Sequence, residues 1–395
     1  MFYGNQHGNV LGSFGQTADG GYYFAGYTAS SAGSSEQGFI QKTDKKGKIE
    51  WYQEYGGKYY ENFMAVHQAS DGGFIAVGNT SSISLDSPRL NYNNNAYIVK
   101  TDSHGNLLWQ KAFGDKHNDC FIDASETPDH DIVAVGYTQK ISNSPLQSQF
   151  YVVKMNQNGD SLWSYSSNNL FYGSCTSVAI TPGGNIGVAG YAKKTDTLYS
   201  HPVFVYLNAK GELINPIKFF DNIYCSDESV NQFSSSPARC EKILSTTGGF
   251  IYTCTGNLQL SPGGYLIGGN FYVHSLFTGK IDYNGNFLWR NEFDGEGGGV
   301  EMSDVQLNMD GSFMISGNIV SPYVPGSFSN FSAWILNINA TGGKTSELLI
   351  PGVQFVEGAV FNNDNYTFGF NRIPSSSNHA YYFGLAITDN NGKVK

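Results

Sequence analysis

The chain is a succession of short apolar segments separated by polar turn residues. Within each segment apolar side chains alternate with polar ones or run continuously, and no segment keeps the 3.6-residue period of a helix. One turn signal is a pair of glycines before an apolar segment that ends in Gly, as in residues 19–26 and 71–78. Weaker copies occur at 129–136, 183–190, 248–256, 310–317 and 363–369. The pattern predicts many short strands joined by tight turns.

A second turn signal is Asp or Asn, two further residues and then Gly, and it alternates strictly with the first. Its seven copies are Asp44/Gly47, Asp102/Gly105, Asn156/Gly159, Asn208/Gly211, Asp282/Gly285, Asn339/Gly342 and Asp389/Gly392. Four residues after the Gly, four copies carry a tryptophan: Trp51, Trp109, Trp163 and Trp289. Asp or Asn at the first turn position accepts backbone N–H groups, and Gly at the fourth takes positive φ. This signal predicts a hairpin that contains a Gly bulge.

Together the two signals define a repeat of about 56 residues. In the second copy the predicted strands are 61–70, 74–80, 96–102 and 106–114. A four-stranded antiparallel unit repeated seven times predicts an all-β, seven-bladed β-propeller that occupies residues 1–395 as a single domain. Six or eight blades and an open row of hairpins are the alternatives. Enlarged insertions are expected at 221–238 and 257–272.

The two ends of the sequence fit the same repeat. Tyr3 and Gly4 align with Tyr55 and Gly56 at the end of a fourth strand, whereas Lys395 lies near the start of another. We therefore expect the termini to meet in one blade.

The repeat resembles the GGYxxxG…KTDxxGxxxW propeller repeats of bacterial and archaeal secreted and surface proteins. Its second half, at 42–51, 100–109, 154–163 and 280–289, is also similar to the tryptophan-docking repeat of PQQ-type propellers and of the outer-membrane assembly lipoprotein. The resemblance implies a propeller fold and says little about activity. The chain lacks the adjacent Cys pair that quinoprotein dehydrogenases use near their cofactor, so we expect no quinone cofactor.

Composition and charge narrow the classes of partner. Charged residues make up 14% of the chain, and 23 Lys and Arg against 33 Asp and Glu give a net charge of −10. Such a chain is a poor ligand for nucleic acid or for an anionic membrane surface. The chain contains no apolar run of about 18 residues, so we expect no transmembrane segment. Residues 1–10 lack the features of a signal peptide, so an extracellular or cell-surface location would require that the export signal had been removed.

Five cysteines are present, without a CxxC motif or zinc-ligand spacing. Cys225 and Cys240 flank a polar stretch of 14 residues. A disulfide between them would close this loop in an oxidising compartment. Two free buried thiols are the alternative.

The long, irregular segments all fall on one predicted face, which carries the loops between second and third strands and the crossings between blades. Function tends to lie on variable loops over a rigid scaffold, so we expect this face, around the central channel, to bind a ligand. Exposed rings with carboxylate and amide neighbours suit sugars. The candidate ligand-binding residues are Tyr59, Tyr60, Glu61, His117, Asp119, Phe171, Tyr172, Glu301 and Asp304.

Residues 293–304 place four carboxylates among four glycines. Oxygen ligands on a flexible loop are what Ca²⁺ prefers, so Asp294 and Glu296 are candidate calcium ligands, although no cofactor is otherwise expected. The chain has no GxSxG, HExxH or P-loop motif.

The leading hypothesis is an extracellular or surface-exposed binding module for a glycan or a protein. One alternative is a carbohydrate-active hydrolase or lyase that uses Asp119, Glu301 or Asp304. A structural subunit of a surface assembly is the other.

Overall fold

The computed structural model describes most of the chain as strands and tight turns, without an α-helix among the residues described. These residues are 1–3, 8–28, 36–83, 94–115, 117–139, 148–168, 170–194, 200–220, 239–256, 275–293, 299–320, 331–351, 356–362, 365–372, 382–389, 391 and 393. The expected insertions at 221–238 and 257–272 lie outside them. By its internal contacts the chain divides into two compact units: unit 1, residues 1–166 with 353–395, and unit 2, residues 167–352.

Unit 1 contains four antiparallel sheets, which we call blades, each of four strands. Blade 1 consists of β2 (Asn9–Gln16), β3 (Tyr22–Thr28), β4 (Gly38–Thr43) and β5 (Ile49–Tyr55). Blade 2 consists of β6 (Glu61–Gln68), β7 (Phe74–Thr80), β8 (Asn95–Thr101) and β9 (Leu107–Phe113). Blade 3 consists of β10 (Asp119–Glu126), β11 (Ile132–Gln139), β12 (Ser148–Met155) and β13 (Ser161–Ser166). Blade 7 consists of β26 (Val356–Asn362), β27 (Asn365–Arg372), β28 (Tyr382–Asp389) and β1 (Phe2–Tyr3).

Unit 2 contains the other three blades. Blade 4 consists of β14 (Phe171–Ile180), β15 (Ile186–Lys194), β16 (Ser200–Leu207) and β17 (Lys218–Phe219). Blade 5 consists of β18 (Arg239–Thr246), β19 (Gly249–Gly256), β20 (Ser275–Asp282) and β21 (Phe287–Phe293). Blade 6 consists of β22 (Gly299–Leu307), β23 (Phe313–Val320), β24 (Phe331–Ile338) and β25 (Lys344–Pro351). Seven sheets of this strand order have the seven-bladed β-propeller fold that the repeat predicts.

Blade 7 combines strands from the two ends of the sequence. Its strand order is β1-β28-β27-β26, with Phe2 opposite Gly384 and Tyr3 opposite Phe383. The amino group of Met1 donates a hydrogen bond to the carbonyl of Leu385 at 2.7 Å. The expectation that the two ends meet in one blade is therefore confirmed.

The turn between the third and fourth strands has the predicted chemistry. At the first copy, the backbone N–H of Gly47 donates to the carbonyl of Asp44, and the Asp44 carboxylate accepts the N–H groups of Lys46 and Lys48. Gly47 has φ of 81°, a value that favours glycine. The register between third and fourth strands shifts by one residue in blades 1, 2, 3, 5 and 6. These shifts are the predicted bulges.

Tryptophans of the fourth strands pack on the turn of the next blade. The indole N–H of Trp51 in blade 1 donates to the carbonyl of Ser103 in blade 2 at 3.1 Å. Its ring covers Gly105, where a Cβ atom would lie 2.8 Å from the Trp51 Cε3 atom. In unit 2, Trp289 covers Gly342 in the same way. Glycine is therefore required in each such turn for two reasons: it adopts the positive φ, and it leaves the space that the indole ring fills.

Every first strand contains a bulge that the sequence patterns did not predict. In each blade the pairing of first and second strands skips one residue near the start of the first strand. The skipped residues are Gly12, Met64, Ile122, Thr176, Glu241, Ser303 and Glu357. Within each unit the first strands of neighbouring blades contact one another. In unit 1, β2 contacts β26 and β6, and β6 also contacts β10; in unit 2, β18 contacts β14 and β22.

The cysteine pairing differs from the predicted bridge. Cys240 forms a disulfide with Cys254, because the two residues lie directly opposite each other on β18 and β19. Cys225, the predicted partner of Cys240, lies outside the described residues. Cys120 and Cys175 are both buried.

Candidate functional site

The crossings between blades in unit 1 are held in place by buried carboxylates. Glu61, the first residue of blade 2, has no exposed surface, and its Oε2 atom accepts the N–H of Gly57 at 2.9 Å. Its Oε1 atom accepts the hydroxyl of Thr80 at 2.8 Å. Gly56 has φ of 144°, and a Cβ atom there would lie 2.2 Å from the Glu61 Oε2 atom. Glu61 therefore supports the crossing from inside and does not face solvent.

Asp119 repeats this arrangement at the start of blade 3. It is fully buried, and its Oδ2 atom accepts the N–H of Asp115 at 2.9 Å. Gly114 has φ of 119° and leaves the space that the Asp119 carboxylate occupies. Glu61 and Asp119, two of the candidate ligand-binding residues, therefore shape the crossings. They would affect a bound ligand only through the residues that they position.

The residues that the first crossing exposes are Lys58, Tyr59 and Tyr60, which we call the crossing surface. The two tyrosines are 48% and 47% exposed. Their backbone N–H groups donate to the hydroxyls of Ser82 and Ser81, at 2.7 and 3.0 Å. The Lys58 ammonium group lies 5.7 Å from the centre of the Tyr59 ring. The backbone under this aromatic pair is therefore fixed, while both rings remain open to a partner.

His117 lies in the next crossing of unit 1. Its side chain is mostly buried, and its Nδ1 atom lies 3.0 Å from the Asp115 Oδ1 atom. The same oxygen accepts the backbone N–H of His117 at 2.9 Å. His117 is thus part of a compact local turn, and only a small part of its ring is available to a ligand.

The remaining candidates belong to unit 2. Phe171 is buried in blade 4 and packs edge-on against Phe219, with ring centres 5.7 Å apart, so it is a core residue and not an exposed platform. Tyr172 is half-buried on the same strand. Glu301 and Asp304 lie on β22, and the Asp304 Oδ1 atom is 3.9 Å from the Lys242 ammonium group on β18.

A charged cluster around Glu301 was not foreseen from the sequence. The Arg239 Nε group donates to the Glu241 carboxylate at 2.5 Å, and the Thr255 hydroxyl donates to the same carboxylate at 2.8 Å. Glu301 is an exposed residue of this cluster. Partial burial of its carboxyl group raises its pKa, the charge of Arg239 opposes the rise, and the charge of Glu241 adds to it. The Arg-x-Glu sequence at the start of β18 is the signal that would have pointed to this cluster.

The metal prediction is not tested by these residues. Asp294 and Glu296 lie outside the described residues, and within the described part of the chain no three potential ligands come together. Nor does the part of the chain described by the structure contain a helix long and apolar enough to cross a membrane.

Comparison with known proteins identifies the fold alone. The sequence matches no protein-family profile and no curated protein. The β-propeller domain of the Trilobed protease from Pyrococcus furiosus is similar in structure, with 10% identity, a TM-score of 0.50 and 97% of both chains covered.

Two hydrolytic enzymes contain a similar region. A Pyrococcus horikoshii acylaminoacyl peptidase has 9% identity and a TM-score of 0.51, with 98% of this chain and 52% of that chain covered. A puromycin hydrolase has 8% identity and a TM-score of 0.53, with 98% and 53% covered. The chain therefore spans about half the length of these two enzymes. At such low identity, the similarity extends to the propeller fold and not to an activity.

Proposed function

We propose that the chain is a binding module that presents the crossing surface of unit 1 to a glycan or protein partner. The observation that carries the proposal is the pair of exposed tyrosines, Tyr59 and Tyr60, on a backbone fixed by Ser81, Ser82 and Glu61. Tyrosine offers a large apolar face and a polar tip, and it loses little side-chain entropy on binding. A backbone that is already ordered lowers the cost of association further.

An extracellular or cell-surface location is part of the proposal. The Cys240–Cys254 disulfide supports it, because disulfides persist in oxidising compartments and are rare in reducing ones. The acidic net charge of −10 is compatible with a soluble surface protein and with a neutral or cationic partner.

The proposal is tested with the double variant Tyr59→Ala/Tyr60→Ala. Binding is measured on a glycan array and by affinity capture from surface extracts, with titration of any ligand found. We expect the variant to bind at least about tenfold more weakly than wild type, as is typical when interface tyrosines are removed. The matched control is Leu108→Ala/Leu162→Ala, which removes two exposed apolar side chains elsewhere in unit 1. Equal loss in both variants, or none in the tyrosine variant, would refute the assignment.

A second candidate is a carbohydrate-active hydrolase that uses the charged cluster of Arg239, Glu241 and Glu301, in which partial burial raises the pKa of Glu301. Glycosidases pair a general acid with another carboxylate. Glu301→Gln should then abolish turnover of a glycan substrate while binding is retained. Retained turnover would exclude this candidate. If neither binding nor turnover is found and the chain co-purifies in a complex, the structural-subunit hypothesis is favoured.

A further inference from the structure

A cleft of about 290 Å³ separates the outer strands of blades 1 and 2 in unit 1. Its lining comes from the end of β5 and from the turn and start of β9: Gln53, Glu54, Tyr55, Gly56, Gly105, Asn106, Leu107 and Gln110. The Tyr55 hydroxyl donates to the carbonyl of Gly105 at 2.7 Å, which ties the two walls together. The volume lies just below the range of small-molecule sites, roughly 300–1,000 Å³, and suits a single ring.

The equivalent place between blades 2 and 3 is bridged by an ion pair. Lys111 and Asp160 occupy the repeat positions of Gln53 and Asn106, and their charged groups lie 2.8 Å apart. Gln53 and Asn106 are neutral, and no hydrogen bond joins them in the structure. Two substitutions in the repeat thus remove an ion pair and leave two amides at an open cleft.

The polar groups of the cleft are oriented by their protein partners. The Oε1 atom of Gln110 accepts the hydroxyl of Tyr97, which leaves the Nε2 group to donate elsewhere. Burial raises the pKa of Tyr97, so that its hydroxyl stays a donor and holds the amide in this orientation. The Nδ2 group of Asn106 donates to the Asp102 carboxylate at 2.7 Å, which leaves its Oδ1 atom as an acceptor.

An amide and an apolar side chain complete the lining. Gln53 lies on the same side of β5 as Tyr55 and adds a second amide, whereas the Glu54 carboxylate accepts the Tyr52 hydroxyl at 2.8 Å on the opposite side of the strand. Leu107 is 46% exposed and offers an apolar contact at the same cleft. Adjacent acceptors and an amide donor match the paired hydroxyls of a sugar ring, whose CH groups pack on apolar side chains.

We infer that this cleft binds a neutral hexose ring, either free or at the end of a glycan. No lysine or arginine lines the cleft, so phosphate and uronic acids would find no cationic partner there. This site is separate from the crossing surface and does not depend on the function proposed for that surface.

The probes are glucose, galactose and mannose, each as the free sugar and as the methyl glycoside, with glucosamine and glucuronate as charged rings of the same size. Saturation-transfer NMR detects binding to the full chain, and titration gives the Kd. We expect at least one neutral hexose to bind. Binding of the methyl glycoside as well as the free sugar would identify a glycan end as the ligand, whereas binding of the free sugar alone would identify the monosaccharide.

The decisive variant is Gln53→Lys/Asn106→Asp, which installs the ion pair found between blades 2 and 3. We expect it to weaken hexose binding at least about tenfold while the melting temperature is maintained. Gln110→Leu, which removes the oriented donor, should have a similar effect and serves if the double variant does not fold. The variant Lys111→Gln/Asp160→Asn should bind hexose within about twofold of wild type.

Four results would overturn the inference. One is that no neutral hexose binds to wild type. Another is tighter binding of glucosamine or glucuronate than of any neutral ring. The third is unchanged hexose binding in folded Gln53→Lys/Asn106→Asp. Loss of hexose binding in the Tyr59→Ala/Tyr60→Ala variant would place the sugar on the crossing surface instead.

Discussion

His130 occupies a backbone position that glycine occupies in five other copies of the turn. Its φ is 63°, whereas Gly20, Gly72, Gly184, Gly248 and Gly311 have φ between 77° and 83° at the equivalent place. The left-handed region costs a residue with a Cβ atom roughly 1–2 kcal/mol. Blade 3 therefore carries a local strain that the other copies with glycine avoid.

We predict that His130→Gly stabilises the protein, by about 0.5–1 kcal/mol after the greater flexibility of glycine in the unfolded chain is taken into account. The ring lies 3.0 Å from both the Ser70 hydroxyl and the Glu126 carboxylate, but such exposed contacts contribute little. Chemical denaturation measures the change. The matched control is His104→Gly, at an exposed turn position with ordinary φ, which should be neutral or destabilising. A stabilised control would show that the effect has another cause.

At the scale of the element, the crossings depend on glycines that make room for the next carboxylate. Gly56 and Gly20 both have positive φ, at 144° and 83°. A Cβ atom on Gly20 would meet nothing within 4 Å, whereas one on Gly56 would overlap Glu61. Substitution of Gly20 therefore measures the free-energy cost of the backbone conformation alone, whereas substitution of Gly56 adds the cost of the overlap with Glu61.

We expect Gly20→Ala to destabilise the protein by about 1–2 kcal/mol, the cost of the left-handed conformation alone. Gly56→Ala should cost more, since Glu61 must also move and give up bonds that hold the crossing. The free energy of unfolding is compared by denaturation, and hydrogen exchange at Gly57 reports on the crossing itself. Equal effects of the two variants would contradict the role assigned to Glu61.

The turns and strands could be predicted from the sequence because each depends on residues close together in the chain. Asp44 and Gly47, for example, make the hydrogen bonds of their turn within residues 44–48. The buried position of Glu61 could not be predicted from the sequence, because it depends on Gly56 and on Thr80 in another strand. The open cleft at Gln53 and Asn106 is visible only when the boundary between blades 1 and 2 is compared with the boundary between blades 2 and 3. Cys254 became the partner of Cys240 through strand pairing, which the spacing of cysteines does not reveal.

At the scale of the whole molecule, blade 7 depends on a very short strand. β1 contributes Phe2 and Tyr3, and Tyr3 is buried against Phe24 and Phe383. Its hydroxyl donates to the carbonyl of Gly47 in blade 1 at 2.6 Å. One residue thus links the last strand of its own blade to the turn of the next.

We predict that Tyr3→Ala lowers the free energy of unfolding by about 3 kcal/mol, as expected for loss of a large buried side chain. Hydrogen exchange should become faster at Phe383 and Leu385 and stay unchanged in β8 of blade 2. Phe2→Ala is the control, since Phe2 is largely exposed and the backbone pairing is retained. A global loss of protection in the Tyr3 variant, without selectivity for blade 7, would refute the local role.

The recurring bulge in the first strands gives every blade one extra residue between two pairs of the ladder. Those residues range from glycine in β2 through methionine and isoleucine to glutamate in β18 and β26. Since the backbone hydrogen bonds on either side do not depend on the side chain, mutation could alter the chemistry at each of these seven places without changing the ladder. The scaffold could thus acquire a new specificity one blade at a time while its framework stayed the same.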